Sequence, residues 1–193
     1  MKTSEWWTNH DCVAWSEREG YQSARVRRLG SNRPKCRSAP MTTDDWRHNG
    51  VRVIPADQLD PNTAQTPGME RAAAIDFARV GARKIWAGTV TIHPNAKTGA
   101  HHHGALESVI YVIRGRARMR WGDQLEFVAE AGPGDFIFVP PYVPHQEINA
   151  GIDEPLECVL VRSDSEAVVV DLDIEPIEKP EAVHWIDPIH HQP

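Results

Sequence analysis

From Ile85 to Val170, short apolar runs alternate with turn-forming residues at close intervals. Ile85 to Ile92 is rich in strand formers (Ile85, Trp86, Thr89, Val90, Thr91, Ile92) and closes at Pro94-Asn95 and Gly99. Val109-Ile110-Tyr111-Val112-Ile113 is continuously apolar, which predicts a strand buried on both faces. After the Arg114-Gly115 turn the pattern changes to strict alternation. Arg116, Arg118 and Arg120 oppose Ala117, Met119 and Trp121, a period of two with one buried face. Leu125–Val128, Phe136–Val139, Leu156–Val161 and Val168–Val170 continue the series, punctuated by Gly122-Asp123, Gly132–Asp135 and Pro140-Pro141. Many short strands with frequent turns predict an all-β sandwich or barrel.

The chain before residue 85 reads differently. Residues 47–70 are loop-like, with Pro55, Asp60-Pro61-Asn62 and Thr66-Pro67-Gly68 as turn signals. Arg71 to Val80 fits either a short helix, through Ala72-Ala73-Ala74, or an edge strand. Residues 1–40 have neither period. Met41-Thr42-Thr43-Asp44-Asp45-Trp46 resembles a fresh protein start, so translation from Met41 is one expectation and a disordered tail is the other. The expected organisation is an irregular extension over 1–46, one barrel domain over 47–175 and an extended tail over 176–193. No internal repeat or low-complexity tract interrupts this plan.

Composition narrows the classes. A chain of 193 residues, 40% apolar and 25% charged, is that of an ordinary soluble globular protein. No apolar run approaches the roughly 20 residues of a membrane-spanning helix, and residues 1–20 lack the apolar stretch of a secretory signal. Cys12, Cys36 and Cys158 are odd in number and lack metal-type spacing, which predicts free thiols and a cytoplasmic location. Residues 1–40 hold 8 basic and 4 acidic residues of the chain's 21 and 27, so residues 41–193 hold 13 and 23. So acidic a body disfavours nucleic acid as partner. The basic run Arg25-Val26-Arg27-Arg28 lacks any motif that would seat it in a groove. Dinucleotide, phosphate-loop and nucleophile-elbow glycine motifs are also missing, which shifts the chemistry to another group.

That group is the run His101-His102-His103, with Glu107 four residues on and His145 farther along. In a strand, side chains at i and i+2 share a face, so His101 and His103 aim at one point and His102 points away. Imidazoles with a carboxylate suit a divalent transition metal. A solvated loop histidine run is the alternative.

These residues resemble the cupin family. His101, His103, Glu107 and Gly115 follow its first motif, HxH–(3 or 4)–E–(6)–G, and Gly134, Pro140, His145 and Asn149 follow its second, G–(5)–P–x–G–(2)–H–(3)–N. The resemblance covers roughly residues 85–162 and implies a double-stranded β-helix, a jelly-roll barrel with metal inside. It implies His101, His103, Glu107 and His145 as ligands, with iron(II) the first expectation and manganese, zinc, nickel or copper as others. It also implies a homodimer, with residues 69–80 as the exchanged arm. Two departures stand out. Tyr142 occupies a glycine slot, and seven residues rather than six separate Glu107 from Gly115, so counting back from Gly115 puts the glutamate slot on Ser108. A β-bulge or longer loop would absorb the difference.

Three functions follow: a metal-dependent enzyme of dioxygenase type acting on a small oxygenated molecule; a metal-dependent isomerase, decarboxylase or lyase; or a small-molecule-binding sensor. Glu147 and Tyr142 are the candidate catalytic acid–base groups. Glu147 shares strand parity with His145 and Asn149, which also fits support of a ligand or an ordinary barrel position. The arginine stripe reads as a solvated outer face or a charged subunit rim. Met119 and Trp121 read as pocket wall and core, and Cys158 as a small core residue.

Overall fold

The computed structural model describes residues 50–165 and 168–185. The expected N-terminal extension and the end of the tail lie outside the described residues. Among the described residues eleven strands run in chain order: β1 Met69–Ile75, β2 Trp86–Ile92, β3 His101–His102, β4 Ser108–Arg114, β5 Ala117–Trp121, β6 Phe127–Ala131, β7 Phe136–Val139, β8 His145–Asn149, β9 Leu156–Arg162, β10 Val170–Asp171 and β11 Glu181–Ala182. One short helix, α1 (Phe77–Val80), follows β1. Asp76 caps it through Arg79 N–H at 2.7 Å, and Gly81 ends it at φ 72°. The ambiguous Arg71–Val80 segment is thus an edge strand and then a helical turn.

The strands form two sheets, ordered β1-β2-β9-β4-β7 and β10-β3-β8-β5-β6-β11. All pairs are antiparallel except β11 with β6. The result is a double-stranded β-helix. The segment that reads as a tail from residue 176 lies along β6: Ile177 N–H donates to the Gln124 carbonyl, and Val183 N–H to that of Val128.

The core lies between the sheets. Val90, Ile92, Ile110, Val112, Ala117, Met119, Leu156, Cys158 and Leu160 fill it from alternate strand positions. Trp121 is half-buried against the same cluster. Burial pushes the Cys158 thiol pKa up to about 12, and Glu147 adds to the shift.

Val109–Ile113 departs from the sequence expectation. Only Ile110 and Val112 are buried; Val109 and Ile113 are exposed. The two-sheet architecture covers one face of β4, and no element among the described residues covers the other. The arginine stripe faces outward: Arg118 and Arg116 hold Glu130, while Arg120 donates to the carbonyls of Leu125 and Ile177. No described helix is long and apolar enough to cross a membrane.

Candidate metal centre

β3 and β8 pair in the register His101 to His145. Both rings enter the space between the sheets, and His103, two residues on from His101, joins them. All three are nearly fully buried. Ring centroids lie 4.4 Å apart for His101–His145, 4.9 Å for His101–His103 and 5.1 Å for His103–His145. Their nearest ligand nitrogens lie within 4.8 Å of one another.

The backbone sets the direction of each ring. His101 Nδ1 lies 3.0 Å from the Gly99 carbonyl, His103 Nδ1 2.8 Å from Val168, and His145 Nδ1 2.9 Å from Val143. A carbonyl oxygen only accepts, so each Nδ1 carries a proton and Nε2 is the ring nitrogen left to meet a cation. His145 Nε2 is buried without a partner among the described residues. A buried acceptor left unpaired costs roughly 1–3 kcal/mol, so this nitrogen, with the two rings beside it, fits a divalent cation.

Burial, with the nearby Arg162 and His101, pushes the His103 pKa down to about 3. Burial and His101 push His145 down to about 4, against the opposing pull of Glu147. Both rings are therefore neutral ligands at pH 7, with little competition from protons. His102 points elsewhere, as strand parity predicts. It accepts from Gly104 N–H and faces the Tyr142 ring at 5.9 Å.

Glu107 is not brought to the cluster. It precedes β4 and is exposed, and its N–H donates to Ser163 Oγ at 3.0 Å. Ser108 faces inward instead, fully buried, its Oγ unpartnered. β4 does contain a register shift, between Val112 and Arg114. The shift lies downstream, so Ser108 keeps the inward parity of Ile110 and Val112, and Glu107 is one residue out of phase.

Tyr142 is also on the outside, 63% exposed, at φ 59°. The motif's glycine slot is thus a left-handed position that Tyr142 occupies under strain, held by its N–H to the Gly104 carbonyl at 2.8 Å. Glu147 is buried on β8 beside the histidines, its N–H bonded to Thr98 Oγ1. Burial alone would raise its pKa, but His101, His145, Arg71 and His103 outweigh burial and hold it below the usual carboxylate range. On its apolar side is a cavity of about 20 Å³, bounded by Met119, Ile137 and Leu160 among others, large enough for about one water. Asn149 closes the loop after β8: Nδ2 donates to the carbonyls of Ile92, His93 and Glu154, and Oδ1 accepts from Gly151 N–H.

Sequence reading did not single out Arg162. It is buried at the end of β9, its Nη2 3.3 Å from His103 Nε2. A signal was present: Leu156, Cys158, Leu160 and Arg162 share one face, and only the last is charged.

Residues 88–162 match the family model described as Cupin domain. The chain thus contains a cupin domain. This cupin is similar in structure to the polyketide cyclase RemF from Streptomyces resistomycificus, at 25% identity and TM-score 0.54, over 67% of this chain and 89% of that one. An oxalate decarboxylase is 26% identical at TM-score 0.50, over 60% of this chain and 31% of that one. The Lactobacillus farciminis oxalate decarboxylase, solved as a formate complex, is 23% identical at TM-score 0.51, over 60% and 34%. The cupin thus spans about a third of these decarboxylases. No curated protein matches the sequence.

Proposed function

We propose that this cupin is a metal-dependent enzyme of dioxygenase type acting on a small oxygenated organic molecule, with iron(II) in the three-histidine centre. The carrying observation is the convergence of three buried imidazoles, each with Nδ1 on a backbone carbonyl and Nε2 left as the ligating nitrogen. A divalent ion held there by His101, His103 and His145 would supply Lewis acidity toward substrate and dioxygen. The chain's own part is to hold three lone pairs in a dry space between the sheets, where charge stabilisation counts for more than in water.

A second reading, decarboxylation, isomerisation or lyase chemistry without dioxygen, gains from Glu147. This buried carboxylate, held ionised beside the centre, is placed to move a proton. Two similar structures bear the names of a polyketide cyclase and an oxalate decarboxylase.

Elemental analysis of protein purified without a nickel column, followed by oxygen-uptake screening of organic acids, diketones and phenols, tests both readings. About one metal per chain with oxygen uptake supports the first. Equal turnover under nitrogen, abolished in Glu147→Gln, replaces it with the second. A centre that takes up no metal from iron, manganese or zinc solutions overturns both.

We further propose a homodimer in the cytoplasm. The expected arm, residues 69–80, pairs with β2 through β1 in the single chain, and the contact proposed beside it uses a second surface. Val109, Tyr111, Ile113, Phe136 (72% exposed) and Phe138 (57% exposed) share the outer face of β4 and β7. Such a patch at a sheet edge favours a partner. Its rim carries both signs, Arg114 with Glu157 and Asp135, as a two-fold copy requires. A monomer by light scattering at micromolar concentration would defeat this assignment, and Phe136→Asp is expected to dissociate the dimer.

A further inference from the structure

We propose that Arg162 holds an anionic oxygen of the ligand inside the barrel, in the place where the cupin pattern puts a glutamate. The inference rests on the metal reading above and deepens it, since it names the charge of what the site accepts.

Three observations lead there. Arg162 is only 7% exposed, yet among the described residues its Nε has no partner and its Nη2 meets only the His103 Nε2 lone pair. That lone pair is the one a metal would use, so loading the centre removes the one acceptor that Nη2 meets. Nε and Nη2 lie on one edge of the guanidinium, a fork that matches a carboxylate. The chain shows the same edge at work on its surface, where Arg118 Nε and Nη2 both donate to Glu130 Oε1.

The second observation is the neighbour. Ser108 pairs with Arg162 across β4 and β9, and its buried Oγ is also unpartnered. The position nearest Arg162 that would carry a carboxylate ligand has a hydroxyl, and Glu107 is outside.

The third is charge. Buried Arg162 and half-buried Arg71 both interact with buried Glu147. Two guanidinium groups against one carboxylate leave a net charge of +1, and a divalent ion raises it to +3. An interior so charged favours an incoming anion and disfavours a neutral molecule of equal shape. A carboxylate or enolate, one oxygen on the metal and the other on the Arg162 fork, fits this chemistry.

The test uses the full chain and two probes of like shape, oxalate and its neutral counterpart oxamide. Wild type, Arg162→Gln and Arg162→Lys are loaded with cobalt(II), followed by visible absorption, and then titrated with each probe by calorimetry. Expected are cobalt uptake by all three proteins, at least as tight in Arg162→Gln, which no longer competes for His103 Nε2, oxalate binding to the loaded protein at least tenfold weaker in Arg162→Gln, and an intermediate loss in Arg162→Lys, which keeps the charge and loses the fork. Oxamide binding is expected to be weak and unchanged. Equal oxalate affinity in loaded wild type and Arg162→Gln overturns the proposal and leaves the metal reading intact. No cobalt uptake by wild type overturns the metal reading, and oxalate titration of the metal-free proteins then decides: Arg162-dependent binding upholds the anion site, and none removes it. If Arg162→Gln does not fold, wild type against Arg162→Lys carries the comparison, and equal affinity there overturns the proposal.

Discussion

Ser108 and Arg162 face each other across β4 and β9, each with a buried polar atom that no other described group satisfies. Ser108→Glu is expected to place a carboxylate between Arg162 and the histidines. It pairs the guanidinium and adds an anionic donor to the centre. Divalent metal affinity is expected to rise about tenfold, equivalent to about 1.4 kcal/mol, while the affinity of the loaded protein for oxalate falls. Calorimetric titration of metal and then oxalate checks both, and unchanged metal affinity would mean that the side chain does not reach the centre.

His101, His103 and His145 are expected to behave as one unit and Glu107 as a bystander. Substituting any one histidine by alanine removes a third of the donor set and is expected to lower metal content at least tenfold. Glu107→Gln, at an exposed position before β4, is expected to change metal affinity by less than about twofold. Metal content by mass spectrometry after dialysis separates the two classes, and a large loss in Glu107→Gln would return that residue to the ligand set.

The buried rings make the metal-free protein sensitive to acid. His103 and His145 have native pKa values near 3 and 4, below the ordinary 6.5 of an unfolded chain. Below 6.5 the unfolded state gains protons that the native state does not, so stability falls as pH falls from 6.5 towards 4. Above 6.5 neither state is protonated at these rings, and their contribution is flat. Urea titrations of chelator-treated protein between pH 4 and 8 are expected to show this loss, amounting to several kcal/mol. A single substitution, His145→Gln, is expected to flatten part of the slope.

Tyr142 holds a left-handed backbone position at φ 59° with its side chain mostly in solvent. Glycine there relieves steric strain of about 1 kcal/mol or more and gives part of it back through greater freedom of the unfolded chain. Tyr142→Gly is therefore expected to leave stability unchanged or raise it by up to about 1 kcal/mol, measured by denaturant midpoint. A clear destabilisation would show that the ring contact with His102 matters more than the backbone.

Asn149 shows how far a motif read in sequence carries meaning. Its spacing from His145 was legible, but its role was not. Its four side-chain hydrogen bonds go to segments as far as 57 residues away, and nothing local in the sequence points to those partners. The second motif therefore combines one inward ring, His145, with a residue that anchors the loop behind it.

By itself the sequence determined the all-β class, most strands of the barrel and the shared face of His101 and His103, because period-two patterning and i, i+2 parity are local properties of a strand; His145 joined them through the family motif, and its register against His101 is a tertiary contact. Tertiary structure decided the rest. Whether the apolar run Val109–Ile113 is covered on one face or two depends on how many layers the sheets build. Whether Glu107 or Ser108 enters the interior depends on where β4 begins, and a shift of one residue exchanges the two faces. Arg162 meets His103 across 59 residues of chain, a contact that exists only because β9 closes one sheet over the other, and no spacing rule encodes it.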